Sequence, residues 1–127
     1  MDPQGHRVLL VEDDDDNREL MAEVLEASGW EVLSAATGQE GLKALSEQAV
    51  DVVLTDVGMP GMGGLEMARA AKAIAPSVPV VVVTGWADDD DIARAHGQHE
   101  VDAVLVKPID PDALLGTVGD LAARPRT

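Results

Sequence analysis

The sequence predicts a single α/β domain, a doubly wound (βα)5 fold around a five-stranded parallel sheet. Short apolar segments alternate five times with segments in which apolar residues recur at helical spacing. The apolar segments are continuous runs, such as VLLV at 8–11, as in strands that are buried on both faces. A chain of 127 residues suits one core. We expect the domain at 7–123, between tails at 1–6 and 124–127.

The first strand is followed by a helix with recognisable ends. The apolar run at 8–11 stops at five acidic residues, 12–16, as a buried strand does when it opens into a polar loop. Apolar residues then recur at helical spacing at 20, 21, 24 and 25. We expect Asp16 to cap this helix and Gly29 to end it.

The same alternation continues along the chain. The segment at 79–84 is the most β-branched, so it is predicted to be a central strand. Thr37 and Glu40 form a capping box, and Asp110 before Pro111 is a helix cap followed by a first-turn proline. The remaining predictions are strands at 31–35, 51–55 and 103–106, and helices at 65–74 and 88–95.

Composition and charge exclude several classes of function. Nine basic and 24 acidic residues give a formal charge of −15, which repels nucleic-acid phosphates and anionic membrane surfaces. The apolar runs are far shorter than the roughly 20 residues of a membrane helix. With no secretory signal at the start and no cysteine, we expect a cytoplasmic protein that binds neither nucleic acid nor membrane directly.

Candidate functional residues follow the predicted strands. Ligands of such sheets bind beyond the carboxyl ends of the strands, where strand order reverses. Carboxylates that converge there would repel one another, so their pKa values must rise or a cation must bind. An all-oxygen set without His or Cys suits Mg²⁺. The residues at these ends are Glu12 and Asp13 after the first strand, Asp56 after the third, Thr84 after the fourth and Lys107 after the fifth.

This set of residues suits phosphoryl chemistry. The Lys107 ammonium and the Thr84 hydroxyl can hold the oxygens of a phosphoryl group, while a metal ion neutralises the remaining charge. A carboxylate can serve as the nucleophile by forming an aspartyl phosphate. Asp56 stands alone on the third strand, opposite the acidic pair, and is therefore the predicted acceptor.

Four stretches occur in a fixed order along the chain: VLLVEDD, DVVLTDVGMPGMGGLE, VVVVTG and VLVKP. Together they resemble the response-regulator receiver domain of two-component signalling, and the resemblance covers nearly the whole chain. This resemblance implies the flavodoxin-like strand order 2-1-3-4-5 and Asp56 as the phosphoacceptor. It also implies Mg²⁺ binding by Asp13, Asp56 and the backbone carbonyl of Gly58, with Glu12 acting through water.

The resemblance extends to the partners. It implies that Thr84 and Lys107 contact the phosphoryl group and that a cis bond precedes Pro108. The phosphoryl donor would be a histidine kinase or a histidine phosphotransfer protein. The domain would catalyse only its own phosphorylation and slow dephosphorylation, so we expect a signalling phosphoacceptor and not an enzyme. The sequence does not identify the output partner, or whether the module acts alone or within a longer regulator or hybrid kinase.

The chain departs from the family at the residue three positions before the lysine. The family usually has Tyr or Phe there, as a ring that moves inward when the threonine engages the phosphoryl group. This chain has Val104 and contains no Phe or Tyr. We hypothesise that the signal depends instead on the loop after Thr84, where Trp86 provides a large ring.

Two alternatives keep a similar fold. A hydrolase of the haloacid dehalogenase type also uses an aspartate nucleophile on a parallel sheet, but its motif has a second Asp where this chain has Gly58, and it needs a cap domain. A receiver used only as a docking module, without phosphorylation, is the other alternative.

Overall fold

A computed structural model of the chain describes residues 6–57, 63–85, 94, 97 and 101–123. These residues form five strands and four helices. The strands are β1 (Arg7–Val11), β2 (Glu31–Ala35), β3 (Val52–Asp56), β4 (Val80–Thr84) and β5 (Ala103–Val106). The helices are α1 (Asp15–Ala27), α2 (Gly38–Glu47), α3 (Gly64–Ile74) and α4 (Pro111–Ala123). The helix predicted at 88–95 lies outside the described residues.

The strands form one parallel sheet in the order β2-β1-β3-β4-β5, which confirms the predicted order 2-1-3-4-5. The chain turns from β1 to β2 on one side and then crosses back to β3 on the other. The strand order therefore reverses between β1 and β3. The carboxyl ends of these two strands, where the sequence predicts the acidic residues, are neighbours at this reversal.

Two hydrophobic cores cover the two faces of the sheet. Val8 and Leu10 of β1 pack in the core that contains residues of α1 and α4, whereas Leu9 and Val11 pack with residues of α2 and α3. All four side chains are fully buried. Burial on both faces explains the apolar runs of β1, β3 and β4, which are the buried strands of the sheet. None of the helices among the described residues has the length and apolarity that a bilayer-crossing segment needs.

The start of α1 differs from the prediction. Asp14 is the N-cap: its backbone is extended, and its Oδ1 accepts the Asn17 N–H at 2.9 Å. The prediction that Asp16 caps the helix is wrong, because Asp15 and Asp16 already lie in the first turn, at the positive end of the helix dipole. The predicted end is confirmed, since Gly29 has a φ of 95°, which favours glycine.

The other helix caps follow the prediction. Thr37 Oγ1 accepts the Glu40 N–H at 3.1 Å, and Glu40 in turn accepts the Ala36 N–H at 3.2 Å. Asp110 accepts the Ala113 N–H at 3.2 Å before α4. These bonds satisfy N–H groups that the helices themselves leave without partners.

Two strands begin one residue later than the sequence indicates. β3 starts at Val52 because the Asp51 side chain is engaged by the backbone N–H of Arg7. β4 starts at Val80, after Pro79, which has no N–H to donate. The Pro79 carbonyl still accepts the Val53 N–H at 2.9 Å.

Candidate functional site

The site is built at the carboxyl ends of β1, β3, β4 and β5. Val11 is level with Thr55 in the pairing of β1 with β3, so the residues that follow, Glu12 and Asp56, stand side by side. Asp56 is in turn level with Val83, one residue before Thr84. Strand order and register therefore bring residues that are distant in the sequence to one edge of the sheet.

Three carboxylates converge at this edge. Glu12, Asp13 and Asp56 each offer an oxygen, and these oxygens all lie within 4.8 Å of one another. Glu12 is 2% exposed and Asp56 8% exposed, whereas Asp13 is open to solvent. Burial, followed by the charge of Asp56, raises the pKa of the Glu12 carboxyl, and Lys107 opposes this rise. Ionisation of Glu12 is therefore disfavoured first by its burial and second by the neighbouring Asp56.

Lys107 reaches this cluster from the end of β5. Its Nζ lies 3.1 Å from Asp56 Oδ1 and 3.7 Å from Glu12 Oε1. Burial lowers the pKa of Lys107, but the hydrogen bond to Asp56 and the surrounding carboxylate charges outweigh burial and raise it. The ammonium is therefore held beside the Asp56 carboxylate in its charged form.

The backbone also connects Lys107 to Thr84. The Lys107 N–H donates to the Thr84 carbonyl at 2.7 Å, and the Lys107–Pro108 peptide bond is cis, as the resemblance implies. Thr84 is 2% exposed, at the end of β4 between the strands that carry Asp56 and Lys107. The structure thus places Thr84 at the same edge as the carboxylates.

Of the predicted site residues, Glu12, Asp13, Asp56 and Lys107 meet through the carboxylate cluster and its ion pairs, and Thr84 lies on the strand between two of them. Gly58 lies outside the described residues, so its carbonyl as a metal ligand stays a prediction. The same is true of Trp86 and the proposed movement of its loop.

Val104, at the usual aromatic position, is partly buried and packs against the core that contains α2 and α3. Its side chain therefore belongs to the packing of the sheet face.

Two residues near the site were not anticipated from the sequence. Arg18 Nη1 donates to the Glu12 carbonyl at 2.9 Å, and Asn17 Nδ2 lies 3.5 Å from Glu12 Oε1. Both are in the first turns of α1, directly after the acidic run. In the sequence, this contact could have been predicted from the two hydrogen-bond donors, Asn17 and Arg18, that directly follow the acidic run. A helix that starts within this run turns its first residues back toward the end of β1.

A groove of about 450 Å³ opens beside the site, between α1 and the segment that joins β5 to α4. Lys107 belongs to both the groove and the site, and Leu20, 60% exposed, lies at the other side of the groove. The groove is lined by Asn17, Leu20, Met21, Lys107, Pro108 and Ile109.

Comparison with known proteins agrees with this geometry. The sequence profile of the response regulator receiver domain matches residues 8–119. A cyclic di-GMP phosphodiesterase of Thermotoga maritima is 42% identical over 107 residues, which are 84% of this chain and 28% of that protein. The sensor histidine kinase RcsC of Salmonella typhi is 35% identical over 119 residues, 94% of this chain and 12% of that protein. The chain therefore spans less than a third of the length of these curated relatives.

A solved structure shows the same fold at similar length. The chemotaxis protein CheY4 of Vibrio cholerae superposes with a TM-score of 0.84 and 29% sequence identity, over 91% of this chain and 98% of that one. The profile match covers most of the chain, including β1 to β5 and the strand ends with the acidic cluster and Lys107. These findings favour a signalling receiver over the hydrolase alternative, and the chain belongs to the response regulator receiver domain family of two-component signalling.

Proposed function

We propose that Asp56 accepts a phosphoryl group from the histidine of a histidine kinase or phosphotransfer protein, with Mg²⁺ bound, and that the domain then signals to a protein partner by changing shape. One observation carries this proposal. The buried Asp56 carboxylate belongs to a three-carboxylate cluster and lies 3.1 Å from the Lys107 ammonium. A nucleophile, a metal-binding set and a cation for phosphoryl oxygens are thus within reach of one another.

The carboxylates suit Mg²⁺. Glu12, Asp13 and Asp56 provide oxygens without any nitrogen or sulfur ligand, as hard cations prefer. The raised pKa of Glu12 is consistent with this, because burial and, second, the charge of Asp56 disfavour its ionised form, which a bound cation would favour. These three residues would hold the ion, with the Gly58 carbonyl as a further ligand by family resemblance. A bound Mg²⁺ would neutralise negative charge on the phosphoryl oxygens during transfer.

Residues of the chain itself would carry out the phosphoryl transfer. An Asp56 carboxylate oxygen attacks the phosphorus, an oxygen–phosphorus bond forms, and the donor's nitrogen–phosphorus bond breaks. The leaving imidazole nitrogen keeps the electron pair, and the ring leaves as neutral imidazole because its other nitrogen carries a proton during the transfer. Lys107 and the Thr84 hydroxyl would hold phosphoryl oxygens, which requires the Lys107 ammonium to exchange part of its contact with Asp56 for the new group.

A direct test is incubation with acetyl phosphate and Mg²⁺, followed by intact-mass measurement. We expect one phosphoryl adduct on the wild type, none on Asp56→Asn, and none when EDTA removes the metal. Asp120→Asn, an exposed aspartate on α4, is the matched control and should keep the adduct. An adduct that survives in Asp56→Asn would contradict the assignment of the acceptor, and no adduct on any variant would favour the docking-module alternative.

The groove beside Lys107 supports a protein donor. The groove shares Lys107 with the site, and its exposed Leu20 side chain would offer a protein donor apolar contact beside the reacting groups. Leu20→Ala is expected to slow phosphorylation by a phosphotransfer protein that labels the wild type, while the rate with acetyl phosphate stays unchanged. Equal rates with the protein donor would exclude this role for the groove.

A further inference from the structure

Two aspartates at the amino edge of the sheet make the same pair of hydrogen bonds to a neighbouring strand. Asp51, directly before β3, donates its N–H to the Arg7 carbonyl at 2.8 Å, and its Oδ2 accepts the Arg7 N–H at 2.7 Å. Asp102, directly before β5, makes the equivalent bonds with Val80, at 2.8 and 2.7 Å. Because Arg7 begins β1 and Val80 begins β4, we call these two arrangements the strand-start clamps.

The clamp at Asp102 is tied to helix α3. Lys72 Nζ lies 2.7 Å from Asp102 Oδ2 and also donates to the Val78 carbonyl at 3.0 Å. Both partners of this ion pair are about three-quarters buried, since the side chains of Lys72 and Asp102 are 22% and 23% exposed. One carboxylate thus joins the starts of β4 and β5 to the end of a helix.

Each clamp joins the two strands that carry one part of the site. In the β1–β3 pair, Glu12 follows Arg7 and Asp56 follows Asp51, in each case by five residues. In the β4–β5 pair, Thr84 follows Val80 by four residues and Lys107 follows Asp102 by five. These strands are only four or five residues long, so a change of pairing at the start of a strand can displace the residue at its end.

We infer that Asp51 and Asp102 are positioning residues for phosphoryl transfer, with separate roles. Asp51 sets the spacing of the carboxylates that bind the metal, through the β1–β3 pair. Asp102 sets the position of Lys107 relative to Thr84 and Asp56, through the β4–β5 pair. This inference rests on the proposed function and adds to it two residues at the opposite edge of the sheet from the reacting groups.

Because the two roles differ, substitution of Asp102 should affect the phosphorylation rate, and substitution of Asp51 should affect Mg²⁺ affinity. Asp102→Ala should slow phosphorylation by acetyl phosphate at saturating Mg²⁺ by about tenfold, since small misplacements of reacting groups have effects of this size or larger. It should leave the Kd for Mg²⁺ unchanged. Asp51→Ala should instead weaken Mg²⁺ binding by about tenfold, because the oxygens that share the ion move apart. Asp102→Asn and Asp51→Asn keep a side-chain oxygen that can accept the N–H, and should recover most of each loss.

Two controls separate positioning from stability. Asp120→Ala removes an exposed aspartate, and Val118→Ala removes core contacts on α4 without touching either clamp. Neither should change the Mg²⁺ affinity or the phosphorylation rate at a temperature where the protein stays folded. If both clamp variants changed both quantities together, or if neither changed either quantity, the assignment would be overturned.

Backbone amide resonances of the metal-free protein provide a test that needs no phosphorylation. The Lys107 N–H donates to the Thr84 carbonyl at 2.7 Å, and the Glu12 N–H, at the end of β1, donates to the Ala35 carbonyl at 3.0 Å. Asp102→Ala should shift the Lys107 amide and leave that of Glu12, with the reverse for Asp51→Ala. If the wild type takes no phosphoryl group, the proposed function fails, yet unmoved amides in both variants would still overturn the positioning role.

Discussion

The two edges of the sheet use carboxylates in opposite ways. At the amino edge, Asp51 and Asp102 each accept a backbone N–H, and Asp102 also pairs with Lys72. At the carboxyl edge, Glu12 and Asp56 crowd together and both lie within 4 Å of the Lys107 ammonium. A carboxylate that accepts backbone N–H groups stabilises the fold, whereas the cluster at the carboxyl edge is the place where we propose that a cation and a phosphoryl group bind.

The largest contrast is expected between the two lysines of these edges. Lys107→Met should slow phosphorylation by acetyl phosphate about 100-fold, because it removes a cation that faces the phosphoryl oxygens. Lys72→Met should slow it less than about threefold, since Asp102 keeps its backbone bond to Val80 without the lysine. Rates followed by intact mass measure both effects, and similar losses in the two variants would remove the distinction between the edges.

A smaller effect is expected on stability at the amino edge. Asp102→Ala should lower the free energy of unfolding by about 2 kcal/mol, because the Val80 N–H loses its side-chain acceptor and the largely buried Lys72 loses its carboxylate partner. Urea denaturation measures this change. Asp120→Ala, which removes an exposed carboxylate, should leave the midpoint where it is, and an equal loss in that control would contradict the explanation.

Mg²⁺ should stabilise the folded protein only through the carboxylates at the carboxyl edge. At about ten times its Kd, the ion should raise the free energy of unfolding of the wild type by about 1.4 kcal/mol, because it binds only the folded state. The same concentration should have little effect on Asp56→Ala, while Asp102→Ala should gain as much as the wild type. Thermal unfolding with and without the ion decides this, and an equal gain in Asp56→Ala would place the ion elsewhere.

The smallest expected effect is the pH dependence of stability that Glu12 causes. Its pKa is raised in the folded state, so ionisation of Glu12 opposes folding. The stability of the metal-free protein should therefore fall as pH rises from the unfolded pKa, about 4.3, through the higher folded pKa. Glu12→Gln should remove this fall and be more stable than the wild type at neutral pH without metal. A parallel pH dependence of unfolding in the two proteins would contradict this source of the effect.

Most of the fold could be predicted because it depends on local patterns. Continuous apolar runs indicated strands that are buried on both faces, and Thr37 with Glu40 marked a helix start that the structure confirms. Local reasoning was wrong at Asp16, because a run of four aspartates offers several caps and only the backbone path after β1 selects Asp14. The helix at 88–95, the Gly58 ligand, the Trp86 loop and the cytoplasmic location stay predictions.

The candidate site was predictable to the extent that it follows strand ends. Glu12 and Lys107 directly follow apolar runs, Asp56 follows one after Thr55, and a parallel sheet brings such residues to one edge. Asp51 and Asp102 directly precede runs of the same kind, but a single aspartate before a strand has no distinctive pattern. The role of such an aspartate depends on the backbone N–H group of a strand that is far away in the sequence.

Residue type and periodicity are local properties, and they were sufficient to predict the strands, the described helices and the chemical groups at the strand ends. They did not reveal that Lys107 lies 3.1 Å from Asp56, that burial and Asp56 raise the pKa of Glu12, or that Asp51 and Asp102 fasten pairs of strands. These features depend on strand register and on the depth of burial, which arise only when segments distant in the chain pack together.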